Sequence, residues 1–146
     1  MDTDVLETNE DRHIVKRRGE NVFGAISAVV LGVLVNMVPG WDIGFLTPAV
    51  SAVIPAVTIS LVVQGASNLS LAFYSPRYLH HALHAVMAGF SLNAARVIYE
   101  VYPFDFSAIP AVPVDTIVTA TLIVGMVASG ISIVVNGIRF LFARKR

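Results

Sequence analysis

The sequence contains no cysteine among its 146 residues. Disulfides, thiolate metal sites and cysteine nucleophiles are therefore all excluded. Charge is also scarce, since 14% of the residues are Asp, Glu, Lys or Arg, whereas 55% are hydrophobic. A soluble domain of this size needs more charge to cover its surface, so the composition predicts an integral membrane protein.

Several functional motifs are absent as well. The chain has no glycine-rich phosphate loop, no potassium-filter sequence, no arginine at every third position and nothing typical of nucleic-acid binding. No Ser/His/Asp arrangement supplies a nucleophile, so we expect no enzyme activity, no cofactor and no bound metal. No carboxylate occupies the middle of the first, second or fourth apolar segment, which disfavours proton-coupled export of the small multidrug type.

Four apolar segments are long enough to cross a bilayer. A hydrocarbon core of about 30 Å requires roughly 20 helical residues at about 1.5 Å each. The sequence predicts an all-α integral membrane protein, and none of the segments shows the alternation of barrel strands. Its four-transmembrane-helix bundle would occupy a domain at 21–146, with helices at 22–38, 46–73, 78–102 and 114–142.

The cationic residues predict the orientation of this bundle. The loops after the first and third predicted helices contain no Lys or Arg. Their charged residues are Asp42 and Asp105, and Asp115 lies at the start of the fourth helix. Short cytoplasmic loops are enriched in Lys and Arg, so we expect a multi-pass protein of the cell membrane with both termini cytoplasmic. Nine of the ten cations flank the segments on the other side, namely Arg12, Lys16, Arg17, Arg18, Arg77, Arg139, Arg144, Lys145 and Arg146.

The N-terminal part of the chain allows more than one interpretation. Residues 1–20 are polar and predict a disordered or fraying cytoplasmic tail, with a partner-binding helix as the alternative. The first apolar segment has a basic flank, as in a signal peptide, but it ends without a small-x-small cleavage site. We therefore expect a retained membrane anchor.

The two halves of the chain resemble each other in a few places. Residues 38–42 and 102–106 both combine proline, aromatic and Asp residues, and Val-Val-Gln-Gly at 62–65 resembles Val-Val-Asn-Gly at 134–137. These matches favour a tandem duplicated hairpin. The alternative is that loops at the ends of membrane helices commonly contain proline, aromatic and Asp residues without any duplication. The apolar second loop, 103–113, is expected in the interface or over the helix ends, with a lid or re-entrant segment as the alternative.

Small and polar residues recur at helical spacing in three of the predicted helices. In lipid, such stripes allow close packing and interhelical hydrogen bonds. We expect them to form helix-packing or oligomer contacts, with a water- or substrate-lined path as the alternative. The stripes comprise Gly24, Ala28, Gly32 and Asn36 in the first helix, Ser60, Gln64 and Asn68 in the second, and Gly125, Ser129 and Asn136 in the fourth.

The tenth cation, Arg96, lies inside the third apolar segment. It belongs to a small or polar face along the whole helix, and Glu100 lies within i,i+4 reach of it. Intramembrane charges are expensive and normally face the interior of a bundle. The face therefore predicts either a structural ion pair or a selectivity site on a path lined by His81, Gly89, Asn93, Arg96 and Glu100.

Three histidines, His80, His81 and His84, lie where the third helix would enter the membrane. The nearby Tyr74 and Tyr78 favour interfacial anchoring, and the alternatives are pH sensing and metal binding.

Taken together, these features predict a small oligomeric membrane channel or transport-type protein with a polar path along the third helix. Its expected partners are the lipid bilayer and either further copies of the chain or a membrane partner subunit. The alternative is a non-transporting scaffold or accessory subunit of a larger membrane complex, which the small size and abundant packing faces favour equally. An intramembrane enzyme is disfavoured because the Arg96–Glu100 pair offers an acid or base but no nucleophile.

Overall fold

The computed structural model describes residues 3–74, 76–107 and 113–143, with their side chains except at 3–16 and 77. The predictions that involve residues 108–112 and the basic residues 144–146 lie outside this part of the chain. The described residues form four α-helices: α1 at Thr3–Met37, α2 at Val50–Phe73, α3 at Arg77–Val101 and α4 at Val114–Ala143. A short 3-10 turn, Val38–Gly40, follows α1.

Three helices in the described part are long and apolar enough to cross a membrane, which indicates a membrane-embedded protein. The 25-residue α3 is comparable in length, but three histidines, one Asn, Arg96 and Glu100 make it less apolar. The all-helical fold is thus confirmed, whereas α3 as a fourth span stays a prediction. The three candidate spans are Arg17–Gly40, Val50–Phe73 and Val114–Ala143.

The helices depart from the predicted bounds at two places. α1 also includes residues 3–20, where the sequence predicted a disordered tail. No proline interrupts this stretch, and its acidic residues cluster near the N-terminus, where the helix dipole favours negative charge. α2 begins at Val50 instead of residue 46, because Leu46 and Thr47 are engaged in loop contacts.

The helices pack in chain order. α1 contacts α2, α2 contacts α3, and α3 contacts α4, whereas the described residues of α1 and α4 share no comparable contact. The bundle is therefore open between its first and last helices. No described residue of α4 is buried, and apolar side chains such as Val124, at 67% exposed, cover its outer face. This arrangement leaves both edge helices accessible to lipid or to another protein.

The α1–α2 contact is built on small residues. A Cβ placed on Gly65 would lie 3.5 Å from the Ala28 Cβ, which is ordinary van der Waals distance. Gly24 leaves less room, because a Cβ there would lie 2.9 Å from Asn68 Nδ2. The missing side chains therefore allow close approach of the two helices, as in other membrane-helix pairs with small residues at the contact.

One amide side chain bridges each pair of neighbouring helices. Interhelical hydrogen bonds of this kind are worth about 0.6–2 kcal/mol each in membrane proteins. Because each bond has one geometry, it also specifies how far one helix is shifted along its neighbour. The bridges are Asn36–Thr58 at 2.9 Å across α1–α2, Gln64–Ser91 at 3.4 Å across α2–α3, and Asn136–His81 at 3.4 Å across α3–α4.

The two long loops are joined to each other at one end of the bundle, which we call the loop end (residues 38–49 and 102–107). Leu46 and Phe104 form an isolated antiparallel bridge between them. The bridge ties the α1–α2 hairpin to the α3–α4 hairpin independently of the helix contacts. Two backbone hydrogen bonds flank it, from Thr47 N–H to Pro103 O at 3.0 Å and from Asp105 N–H to Phe45 O at 2.9 Å.

Aromatic side chains cover this loop junction. The Phe106 ring stacks on Phe45 and on Phe104, with centroid distances of 5.7 and 5.8 Å. Tyr102 ends α3 with a left-handed backbone (φ 42°), a conformation that costs a residue with a Cβ about 1 kcal/mol or more. The Tyr102 hydroxyl donates to Asp115 Oδ1 at 2.9 Å, which links the end of α3 to the start of α4.

These contacts do not repeat between the two halves of the chain. A duplicated hairpin with a two-fold axis would relate α1 to α3 and α2 to α4. Because Asn136 on α4 bonds to α3, its counterpart Gln64 on α2 would then bond to α1. Both side chains instead bond to α3. The tandem duplication therefore stays a prediction from the sequence.

Replacing Gly24 by leucine is expected to lower the free energy of unfolding by about 1–3 kcal/mol, because the new side chain must displace the Asn68 amide or push α1 away from it. The matched control is Gly32→Leu on the same helix, where a Cβ meets no atom within 4 Å. Denaturant unfolding in lipid-free detergent micelles measures both. Equal losses in the two variants would contradict the described α1–α2 contact.

The loop junction predicts slow amide exchange at two positions. The Thr47 and Asp105 N–H groups should exchange at least about tenfold more slowly than Gly44, which has no backbone acceptor among the described residues. Hydrogen–deuterium exchange, corrected for intrinsic rates, provides the measurement. Rates like that of Gly44 at both positions would show that the loops are not paired.

Candidate functional site

The side chains of α3 divide between a packed side and an open side. Met87 and Ala94 are 8% and 7% exposed and lie against the neighbouring helices. At about 100° per residue, Arg96 lies roughly 160° around the helix from Ala94. Among the described residues, α3 makes its substantial contacts with α2 and α4, and this opposite side faces away from them.

We define the open face of α3 as Gly89, Asn93, Arg96 and Glu100. These residues are separated by four, three and four positions, so they lie within about 60° of helix arc. Asn93, Arg96 and Glu100 are exposed, and a Cβ on Gly89 would meet no atom within 4 Å. The structure thus brings together four of the five predicted path residues on one uncovered surface.

Arg96 and Glu100 form an ion pair on this face. Arg96 Nε donates to Glu100 Oε1 at 2.7 Å, and the two side chains remain 67% and 55% exposed. The pair is electrically neutral, which lowers the cost of placing either charge in a membrane. Arg96 lies about 9 Å from Tyr102 along the helix axis, so it would lie below the interface in a membrane-spanning α3. Such a pair can orient a polar solute or select between ions by charge.

His81, the fifth predicted path residue, is not on the open face. It is partly buried, and its Nδ1 lies 3.4 Å from Asn136 Oδ1 on α4. Asn136 Nδ2 in turn donates to the Ser132 carbonyl oxygen at 2.9 Å, which orients the amide towards α3. His81 therefore contributes to helix packing. Periodicity placed it at the edge of the polar arc, where spacing alone does not distinguish an open side chain from a packed one.

The small and polar stripes differ in how they are used. Ser60 is 3% exposed and accepts a hydrogen bond from Gln64 Nε2 at 3.1 Å. This part of the α2 stripe is therefore packed inside the folded chain. Gly32 and Gly125 have no atom within 4 Å of a Cβ position, and neither is packed against a described helix. Ser129 is partly exposed on α4. The latter three remain available to lipid or to a neighbouring molecule.

The histidines form a small cluster at the opposite end from the loops. The His80 ring lies 4.3 Å from His84 and 5.6 Å from His81, measured between centroids. Among the described residues, no group of three or more His, Asp or Glu side chains is arranged to hold a metal ion. The cluster therefore offers ring contacts rather than a described metal site.

Sequence reasoning missed the junction at the loop end. Asp105 accepts a hydrogen bond from the Ser107 N–H at 3.0 Å, and this bond lowers the pKa of the Asp105 carboxyl. Asp115 accepts the Tyr102 hydroxyl, as described above. The sequence did place both carboxylates on one side, but which groups they bond to depends on how the loops fold together. Comparison of the chain with protein-family models, with curated proteins and with solved structures found no match.

The ion pair predicts non-additive effects of removing its charges. Arg96→Gln or Glu100→Gln alone should destabilise the folded protein in bicelles by about 1–3 kcal/mol, because one charge is left without its partner in the membrane. The double variant should lose less than either single variant, since it restores neutrality. Unfolding free energies measured as a double-mutant cycle test this. Additive losses would show that the two side chains do not interact.

Proposed function

We propose that the protein is a multi-pass cell-membrane protein whose copies associate so that the open faces of α3 line a polar path for a small solute or ion. In this proposal α3 is a fourth membrane span, and both termini are cytoplasmic. The observation that carries the proposal is the neutral but exposed Arg96–Glu100 pair on a helix flanked by two apolar candidate spans. The proposal also accounts for the low hydropathy of α3.

The energetic argument concerns what surrounds the open face. A single charge at mid-membrane costs about 2.5–3.5 kcal/mol on insertion scales, and intramembrane charges normally face water or protein. Asn93, Arg96 and Glu100 are exposed within the described part of one chain. In the proposed assembly, α3 of another copy and a row of water molecules would together surround these three side chains. Gly89 would allow the copies to approach closely, because it has no side chain.

In the proposed path, Arg96 and Glu100 determine charge selectivity and Asn93 offers a neutral hydrogen-bonding surface. With both charges present the path is neutral overall, so it favours polar solutes or admits both signs of ion. The pair has no nucleophile beside it, and we accordingly propose a non-enzymatic role.

A non-transporting accessory subunit is the second candidate function. The observation that favours it is the open, chain-order packing, in which the described residues of α1 and α4 share no substantial contact. A partner subunit could then cover the open face of α3 with its own polar side chains and exclude water. The mass of the purified protein in nanodiscs separates the two: a homo-oligomer supports the path, and a single copy held by larger partners supports the subunit.

Single charge changes at the open face should alter ion selectivity in opposite directions. Glu100→Gln leaves Arg96 unneutralised and should raise the anion-to-cation permeability ratio in liposomes, by about tenfold for one uncompensated charge in a narrow low-dielectric path. Arg96→Gln should lower the ratio by a similar factor. Reversal potentials under a salt gradient give the measurement.

The matched control is Arg139→Gln, which removes one exposed cation from α4 at the opposite end of the bundle. It should leave the permeability ratio unchanged. Absence of flux through wild-type protein, or identical ratios in correctly inserted variants, would refute the proposed path.

A further inference from the structure

A long apolar groove runs between α1 and α2, beside their contact at Ala28 and Gly65. It encloses about 990 Å³ and is open along one side. Its floor consists of small residues, including Ala25, Ala28 and Gly32 on α1 and Gly65 and Ala66 on α2. The walls are larger aliphatic side chains, and polar atoms make up little of the surface. This shape suits a flexible hydrocarbon chain.

The groove extends along much of the membrane-spanning part of α1. It runs from Ala25 to Met37, which corresponds to about 18 Å of helical rise. At one end, the Asn36–Thr58 hydrogen bond joins the two helices. The other end opens towards the basic flank of α1. A hydrocarbon chain would therefore enter from the basic end and lie along the groove towards the loop end.

Two exposed arginines, Arg17 and Arg18, lie on α1 beyond the residues that line the groove, towards its basic end. Arg18, Ala25 and Gly32 are seven residues apart, so they share one face of α1. Arg18 lies about 10 Å below Ala25 by helical rise. The positive charge of Arg18 therefore lies on the same face of α1 as the groove, beyond its basic end.

The level of Arg18 matches the end of α2. Gly24 faces Asn68 and Ala28 faces Gly65, so four residues towards the α1 N-terminus correspond to three residues further along α2. This register brings Arg18 to about the height of Tyr74, which follows the last residue of α2. Arginines at that height lie where lipid phosphates meet the hydrocarbon region.

We propose that the α1–α2 groove binds one anionic phospholipid of the leaflet on the basic side, with an acyl chain along Ala25, Ala28 and Gly32 and the phosphate at Arg17 and Arg18. The apolar groove supplies chain affinity, and the two arginines supply the preference for negative charge. Juxtamembrane cations contribute attraction to anionic lipid one by one, so loss of one arginine weakens the preference without abolishing chain binding. The site is separate from the open face of α3.

The test is native mass spectrometry of the full chain released from nanodiscs that contain phosphatidylglycerol and phosphatidylcholine with identical acyl chains. Wild-type protein should retain one phosphatidylglycerol per chain. Gly32→Leu fills the groove without a clash, because a Cβ there meets no atom within 4 Å, and it should reduce retention of both lipids at least about tenfold. Arg18→Gln should retain lipid but lose about fivefold of the preference for phosphatidylglycerol.

Two matched variants serve as controls. Gly130→Leu makes the same substitution at an open position on α4, and Arg139→Gln removes one exposed cation from the same end of the bundle. Both should bind lipid like wild type. Equal retention in Gly32→Leu and Gly130→Leu, or equal preference in Arg18→Gln and Arg139→Gln, overturns the proposal. A change of Gly32→Leu from oligomer to monomer also overturns it, because the groove would then hold a helix of a second copy. None of these outcomes depends on flux through the proposed path.

Discussion

The close contact of each helix with its chain neighbours is the constraint on which the rest of the structure depends. Small residues bring α1 and α2 together at Gly24 and Gly65, and one amide per helix pair sets the register. Because lipid is as apolar as the side chains, aliphatic residues gain little by moving from lipid to protein. Packing and hydrogen bonding therefore determine which faces meet, and the aliphatic faces of α1 and α4 remain outside.

The open packing has direct consequences for the two surfaces that matter for function. α3 is held on two sides only, so its polar side with Arg96 and Glu100 stays uncovered in a single chain. Among the described residues, α1 makes its substantial helix contact with α2, and the apolar groove lies between these two helices. One surface is too polar for lipid contact and the other is suited to it. In the two proposals, protein and water cover the first surface and a lipid chain covers the second.

The loop junction adds a second level of connection between the hairpins. Leu46 and Phe104 are far apart in sequence, yet they pair at the same end at which Tyr102 bonds to Asp115. Phe106 stacks on Phe45 and on Phe104, so aromatic contacts join the same two loops that the backbone hydrogen bonds join. Helix packing and loop pairing thus both hold α2 beside α3, in addition to the short segment that connects the two helices.

Local sequence patterns determined much of this protein. Apolar runs and their flanking prolines predicted α3 and α4 to within one residue, and helical spacing placed Gly89, Asn93, Arg96 and Glu100 on one face. The polar stretch at 3–20 was harder to predict, because its composition is compatible with both a helix and a disordered tail. Only the tertiary structure decided that His81 faces α4, that the loops pair, and that α1 and α4 stay apart. These outcomes depend on distances between residues remote in sequence, and hydropathy and periodicity carry no information about such distances.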